Sequence, residues 1–311
     1  MTSRLSREAF GKARTFIQAT ARPLDQAMLA YGLGEGSASD AIAALGAYQN
    51  ADGGFGHGLE PDLATPASNA IATSVGLRTL SGIGADARHP MVVAAMRWLE
   101  SAFDWDAGVW PIIDEQVDLA PHAPWWSWSK DLSENWNGFA FNHSAELLGY
   151  LFQWRDAVTP KLVAAAETSL RRALDEVRLI EGAYDLKCAA RLCAAPGIPA
   201  DLKRLLLERV VRSELAHDPG DEHGSALDLA PTPSSPLAEA LAPRIDAAID
   251  VLITAQDEDG GWPLFWDWSF VDEAAWAKAK RDWRGALTRE ALQMLTAWRR
   301  IDQPAPLPTP S

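Results

Sequence analysis

A chain of 311 residues, 48% of them hydrophobic, carries enough apolar material for an extensive core, but its length does not choose between one large domain and two small ones. Its 28 Lys plus Arg stand against 42 Asp plus Glu, a net charge of -14, so phosphate-rich surfaces are repelled and nucleic acid and anionic membrane are disfavoured as partners. The two cysteines, Cys188 and Cys193, share one apolar run, a pattern that argues against a disulfide-built secreted fold and fits a reducing, cytoplasmic location.

Taken in chain order, Met1 to Phe16 scatter charges among apolar positions without an apolar h-region, which predicts a helix rather than an export signal. Thr65, His89 and Thr159 each precede a proline, and proline at the first helical position predicts helix starts at Pro66, Pro90 and Pro160. Leu162, Val163, Ala166, Leu170, Leu174 and Val177 follow the i, i+3, i+4, i+7 rule. Long alternating strand patterns are absent, and roughly ten to twelve helices joined by Gly, Asp and Pro turns predict an all-α fold of about five helical hairpins. No segment approaches the ~18 to 20 apolar residues of a membrane span. From Gln303 the run QPAPLPTPS predicts an extended, disordered tail, leaving residues 1–302 as one domain.

An internal repeat decides the architecture. AYQNADGGF, from Ala47 to Phe55, and TAQDEDGGW, from Thr254 to Trp262, match Gln49 to Gln256, Asp52 to Asp259 and Phe55 to Trp262. Each copy ends an amphipathic helix and precedes another, so the unit is helix, glycine turn, helix. A decayed third copy, FDWDAGVWP from Phe103 to Pro111, echoes the GGWP around Trp262. With units of roughly 40 to 50 residues, a closed ring of hairpins fits better than an open solenoid, which needs polar caps at its ends.

The two QxxDGG-aromatic segments resemble the QW motif of the prenyltransferase and squalene oxidase repeat family, which includes the terpenoid cyclases and the protein prenyltransferase β-subunits. That resemblance implies an α/α toroid with an aromatic-lined central cavity, in which the glutamine ties a helix N-terminus and the glycines allow a tight return. Gly53 and Gly54 can take positive φ without penalty, and Gln49 or Gln256 can satisfy orphan helix-end groups. In class II terpenoid cyclases an acidic DxDD-like motif follows a QW-type turn and protonates an alkene or epoxide. Here the first turn runs on through His57, Glu60 and Asp62, so the resemblance points to these three as catalytic candidates. The motif is not intact: Leu63 and Ala64 stand where further aspartates would help. A proton donor to a double bond must be a carboxylic acid held neutral by burial and a second carboxyl, a need that Glu60 with Asp62 meets. The competing reading is a loop carboxylate that caps the following helix.

Other constellations carry less. Asp104 and Asp106 lack the third carboxylate of a magnesium-binding DDxxD cluster, and Asp185 with Cys188 has the wrong spacing for the zinc ligands of the prenyltransferases, so no metal and no cofactor is expected. His217 and His223, with Asp218, Asp221 and Glu222 between them, have the composition of a solvated turn. The chain has 14 Trp in two groups, from Trp98 to Trp154 and from Trp262 to Trp298. Trp125, Trp126, Trp128, Trp136, Phe265, Trp266 and Trp268 lie in segments too irregular for helix and are expected to line or cover the cavity as substrate-binding residues, or else to fill gaps between inner helices. Three functions remain open: a terpenoid-cyclase-like enzyme protonating an isoprenoid, a carbohydrate-active lyase or hydrolase using tryptophans as sugar platforms, and a non-catalytic module for an apolar ligand or a protein partner. A homo-oligomer is not excluded.

Overall fold

In the computed structural model, residues 3–128, 139–217 and 225–302 are described. Trp136, the acidic stretch with His223, and the proline-rich tail lie outside them. Twelve α-helices are found among the described residues, one of them a single turn, and their burial sorts them into two rings. The first half comprises α1 (Arg7–Thr20), α2 (Pro23–Gly32), α3 (Ala38–Leu45), α4 (Ala70–Gly82), α5 (Pro90–Ser101) and α6 (Phe141–Gln153). The second half comprises α7 (Pro160–Glu176), α8 (Ala183–Ala194), α9 (Ala200–Leu215), α10 (Ala226–Leu229), α11 (Ala242–Thr254) and α12 (Glu273–Ala297). Helix α4 is buried on nearly every side and α6 almost throughout, whereas α5 and α7 bury only one stripe, Val92, Ala95, Met96 and Leu99 in α5 and Leu162, Val163, Ala166, Leu170 and Leu174 in α7. A helix apolar all round belongs inside and an amphipathic one outside, so even-numbered helices form the inner ring and odd-numbered ones the outer.

The circle closes on itself. Successive inner helices α4, α6, α8 and α10 pack side by side, and α12 returns to pack on α1 and α2. The chain ends are joined by a parallel bridge between Leu5 and Ile301, with Leu5 N–H donating to Arg300 O at 2.7 Å and Asp302 N–H to Leu5 O at 3.0 Å. The fold is therefore an all-α toroid with no sheet among the described residues, only isolated bridges.

The two glycine turns are equivalent atom for atom. Gln49 Nε2 donates to Gly53 O and Met91 O, and Gln256 Nε2 donates to Gly260 O and Ala9 O, all at 2.9 to 3.0 Å. Asp52 Oδ1 accepts from Gly54 N and Asp259 Oδ1 from Gly261 N; Phe55 N donates to Thr73 Oγ1 and Trp262 N to Thr288 Oγ1. The glutamines thus tie first-turn carbonyls of α5 and α1 rather than orphan N–H groups. In the third copy Trp110 Nε1 donates to Leu99 O at 2.8 Å, as Trp262 Nε1 does to Leu252 O at 2.7 Å. Each turn rests on the next outer helix. Gly53 lies against Ala94 of α5, Gly108 against Ser169 of α7, and Gly260 against Lys12 of α1, one step around the same circle each time.

One predicted boundary moves. Helices α5 and α7 begin at Pro90 and Pro160 as the sequence indicates, but no helix starts at Pro66. Helix α4 starts at Ala70, because Asn69 caps it by accepting from Ala72 N at 2.8 Å, while Thr65 Oγ1 holds Ala67 N in the preceding turn. Cys188 and Cys193 are buried core residues and unpaired. No helix of the described residues is long and apolar enough to cross a membrane.

Gly53 (φ 97°) and Gly260 (φ 92°) sit where an added Cβ would lie 2.3 and 2.4 Å from backbone of the next helix. Gly53→Ala and Gly260→Ala are each expected to lose more than about 2 kcal/mol in urea unfolding, and by similar amounts. Gly34→Ala, at φ 73° with open space around it, should lose only about 1 kcal/mol.

Candidate active site

The segment between the first glycine turn and α4 carries the acid candidates, and it is sewn in from several sides. Arg22, at the start of α2, donates to Leu59 O at 3.0 Å, and its own guanidinium is held by Asp25 at 2.8 Å, which Arg289 of α12 also engages at 3.1 Å. Across the loop, Ala64 N donates to Pro121 O and Ala123 N to Asp62 O, each at about the ordinary amide distance. Leu63 N returns to Glu60 O at 3.1 Å, so Glu60 and Asp62 sit on one tight turn. Both are buried, at 8% and 3% exposure.

Asp62 accepts from two indoles that lie about two-thirds of the chain away. Trp268 Nε1 donates to Oδ1 at 2.7 Å and Trp266 Nε1 to Oδ2 at 3.2 Å. Trp283 of α12 packs edge-on against Trp266, and its buried indole N–H also favours the Asp62 anion without reaching hydrogen-bond geometry. Burial pushes Asp62 above the usual aspartate range; the three indoles pull it partly back. Glu60 has no indole donor. Burial first, and then the neighbouring Asp62 charge, raise it to about 8, against weaker opposing pulls from Arg78, the Asp62 backbone N–H and Arg22. Of the pair, Glu60 is thus the one that keeps its proton at neutral pH, and Asp62 the one whose charged form receives donors.

An apolar cluster packs beside Asp62. Leu63, Ile71, Ile112, Val117, Ala123, Trp126, Trp268 and Trp276 form one buried cluster, with Trp128 and Trp266 partly buried against it. Of the aromatic candidates, Trp266 and Trp268 reach the carboxyl, and Trp126 and Trp128 join the same buried cluster. Trp125 and Phe265 are not: they are 42% and 85% exposed, because each neighbours a ring that takes the inward position. His57 is also outside this cluster. It is exposed, at φ 56°, and its Nε2 engages Asn50 Oδ1 at 2.8 Å. The alternative of a capping role for the acids does not hold, since Asn69 caps α4 and Asp62 receives indoles instead.

Sequence reasoning passed over a second polar cluster on the inner ring. Glu146 of α6 is 1% exposed and accepts from Arg78 Nε of α4 at 2.8 Å, Arg191 Nη1 of α8 at 2.7 Å and Tyr150 Oη at 2.6 Å. Burial alone would raise Glu146; Arg191 and Arg78 overcome it and hold it down to about 2. The available signal was an ionisable residue inside an otherwise apolar helix, IATSVGLRTL and HSAELLGYLF being the clearest. A surface cleft lined by Phe141, Asn142, Arg172, Arg178, Glu181 and Asp185 lies beside these helices and includes neither Glu60 nor Asp62. Among the described residues no group of His, Cys, Asp or Glu is arranged to hold a metal ion, and His217 turns its Nδ1 to Ser213 O.

With this geometry in place, the comparisons are informative. No protein-family profile matches the sequence and no curated protein does. Solved structures do match. The type II terpene cyclase MstE from Scytonema, in a variant complexed with its substrate geranylgeranyl dihydroxybenzoate, superposes with a TM-score of 0.53 at 15% identity, covering 92% of this chain and 97% of that one. Another variant, complexed with the product merosterolic acid A, gives 0.54 at 16% identity, over 93% and 96%. The chain has the terpene-cyclase toroid as its fold, essentially end to end.

The acid pair leaves a signature in stability. An unfolded chain ionises Glu60 near 4.5, whereas the folded chain holds its proton to about 8, so between those values the unfolded state binds fewer protons and folding becomes less favourable as pH rises. Glu60→Gln removes that penalty. Its stability relative to the parent is expected to be flat below pH 4.5, to climb through the interval to roughly 3 kcal/mol at pH 7, and to level off above about 8, read from urea melts at several pH values.

Proposed function

We propose that this protein is a terpenoid-cyclase-like enzyme that starts its reaction by protonating an isoprenoid in the centre of the helical ring. The observation that carries this reading is the burial of Glu60 beside Asp62 on one tight turn, a setting that favours its protonated form at physiological pH. Glu60 is the proton donor: its O–H bond breaks as a C–H bond forms at the terminal alkene, leaving a tertiary cation and a second carboxylate next to Asp62. Those two anions lie close to the new positive charge, which stabilises the cation in a medium of low dielectric. Later loss of a proton from carbon ends the cation and restores Glu60, so the net change is an isomerisation.

The indoles act in two ways. Trp266 and Trp268 brace Asp62 through their N–H edges, and Trp126 and Trp128 add aromatic surface from the same cluster, suited to a passing carbocation at about 2 kcal/mol per dry contact. A sugar-binding role fits less well, because these rings are packed against one another and spend their edges on Asp62 instead of presenting free platforms. The complexes of the similar cyclases with an isoprenoid substrate and product support the substrate class.

Incubation with a panel of prenyl substrates, followed by mass spectrometry, tests the assignment. Glu60→Gln is expected to abolish conversion at every pH. In the parent, turnover should fall as pH rises through about 8, while Asp62→Asn, which removes the neighbouring anion, should shift that falling limb to lower pH and reduce the rate by at least about tenfold. Conversion by Glu60→Gln at the parental rate would remove Glu60 from the role of donor, and His57→Ala should leave turnover within about twofold of the parent.

A further inference from the structure

Arg78 and Arg191 are placed oddly for structural residues. They stand on inner helices α4 and α8, and both are tied to Glu146, yet their side chains remain 35% and 34% exposed while Glu146 is 1% exposed. Surface so retained on an inner helix faces the middle of the ring rather than the outside. Tyr184, one helical stretch before Arg191 on α8, makes the same point. It is 50% exposed, and partial burial first, then the charges of Glu60, Asp62, Asp228 and Glu290, raise its hydroxyl above the usual tyrosine range. Arg78, Arg191 and Tyr184 thus all keep exposed surface although they stand on inner helices.

The guanidinium groups are not used up. Arg78 gives Nε and one Nη to Glu146, and Arg191 gives one Nη to it, leaving the other N–H groups without a partner among the described residues. None of those nitrogens is among the sealed, unpaired polar atoms, so they remain reachable. Two arginines against one glutamate leave a single positive charge, and Tyr150 and Cys188, which also touch Glu146, add none. Of the other acids that face this region, Glu60 keeps its proton at pH 7, Glu290 is paired with Arg289 at 3.0 Å and Asp228 with Lys187 at 3.2 Å, while Asp62 is held by its two indoles on the acid loop. Arg78 lies about two turns into α4, and Glu60 precedes that helix, so cation and acid are offset along the axis of the ring.

We propose that Arg78 and Arg191 form an oxyanion subsite that holds the monoanionic head of an amphiphilic substrate, a carboxylate, while the apolar tail reaches the Glu60 and Asp62 compartment. This deepens the isoprenoid reading and rests on it. A planar guanidinium meets a carboxylate through two parallel N–H bonds, and one net positive charge balances one negative head. A diphosphate, with about three charges, would be left largely unneutralised there. The head subsite fixes which end of the chain meets the proton.

Tryptophan fluorescence titration with farnesoic acid, farnesol and farnesyl diphosphate, at one salt concentration, reads this directly on the full chain. The acid is expected to bind at least about tenfold more tightly than the alcohol, and the diphosphate no better than the acid. Arg191→Gln should erase the acid's advantage while leaving farnesol within about twofold, and Arg191→Lys should restore part of it. Equal binding of acid and alcohol by the parent overturns the subsite and leaves the isoprenoid reading standing, a comparison that needs no variant. Tightest binding by the diphosphate, lost in Arg191→Gln, overturns the monoanionic assignment. Binding of none of the three overturns the isoprenoid reading, and the subsite with it.

Discussion

Two carboxyl groups a residue apart, both taken out of water, cannot both carry charge without a severe electrostatic cost, and the candidate site is organised around that constraint. Asp62 is given two indole N–H donors and becomes the place where a negative charge is tolerated. Glu60 is given burial and an anionic neighbour, and so keeps its proton. Neither environment is local in sequence. The loop backbone is pinned by Arg22 and by the 121–123 segment, while the indoles arrive from residues 266 and 268, on the far side of the chain's closure.

Ring closure is therefore a condition for the candidate site as well as for the fold. The turn around Gly260 seats on α1, the parallel bridge of Leu5 with Ile301 fixes the ends, and the segment that follows Trp262 then meets Asp62. The same closure brings Arg289 to Asp25, which orients Arg22 and through it the acid loop. A disturbance at the glycine turns would thus be felt at the carboxyls, although neither turn contains a reacting group.

Much of the architecture was legible because it is periodic. The paired QxxDGG-aromatic turns, the 3.6-residue spacing of α7 and the prolines at the starts of α5 and α7 all have short-range causes. The exception at Pro66 is instructive: an asparagine three residues later offered a better cap, and the helix began there. Among the site residues, Glu60 and Asp62 could be picked out from their place after the turn, but His57, in the same stretch, faces solvent because the positive-φ residue turns its side chain away. Which of Trp125 and Trp126 points inward, or which of Phe265 and Trp266, depends on packing partners supplied by α4 and α12 and has no signature in either dipeptide. Arg78, Glu146 and Arg191 escaped for a different reason, since each occupies one position in an apolar helix and their meeting across α4, α6 and α8 exists only in three dimensions.

The measurement closest to the heart of this account is difference infrared spectroscopy of the carboxylic acid C=O stretch, comparing the parent with Glu60→Gln across a pH series. A protonated carboxyl that persists at pH 7, disappears as pH rises through about 8 and is missing from Glu60→Gln is the expected result. A carboxyl at position 60 that has already ionised by pH 5 to 6, as an exposed glutamate does, would contradict the account, because no neutral acid would then be present to start the reaction.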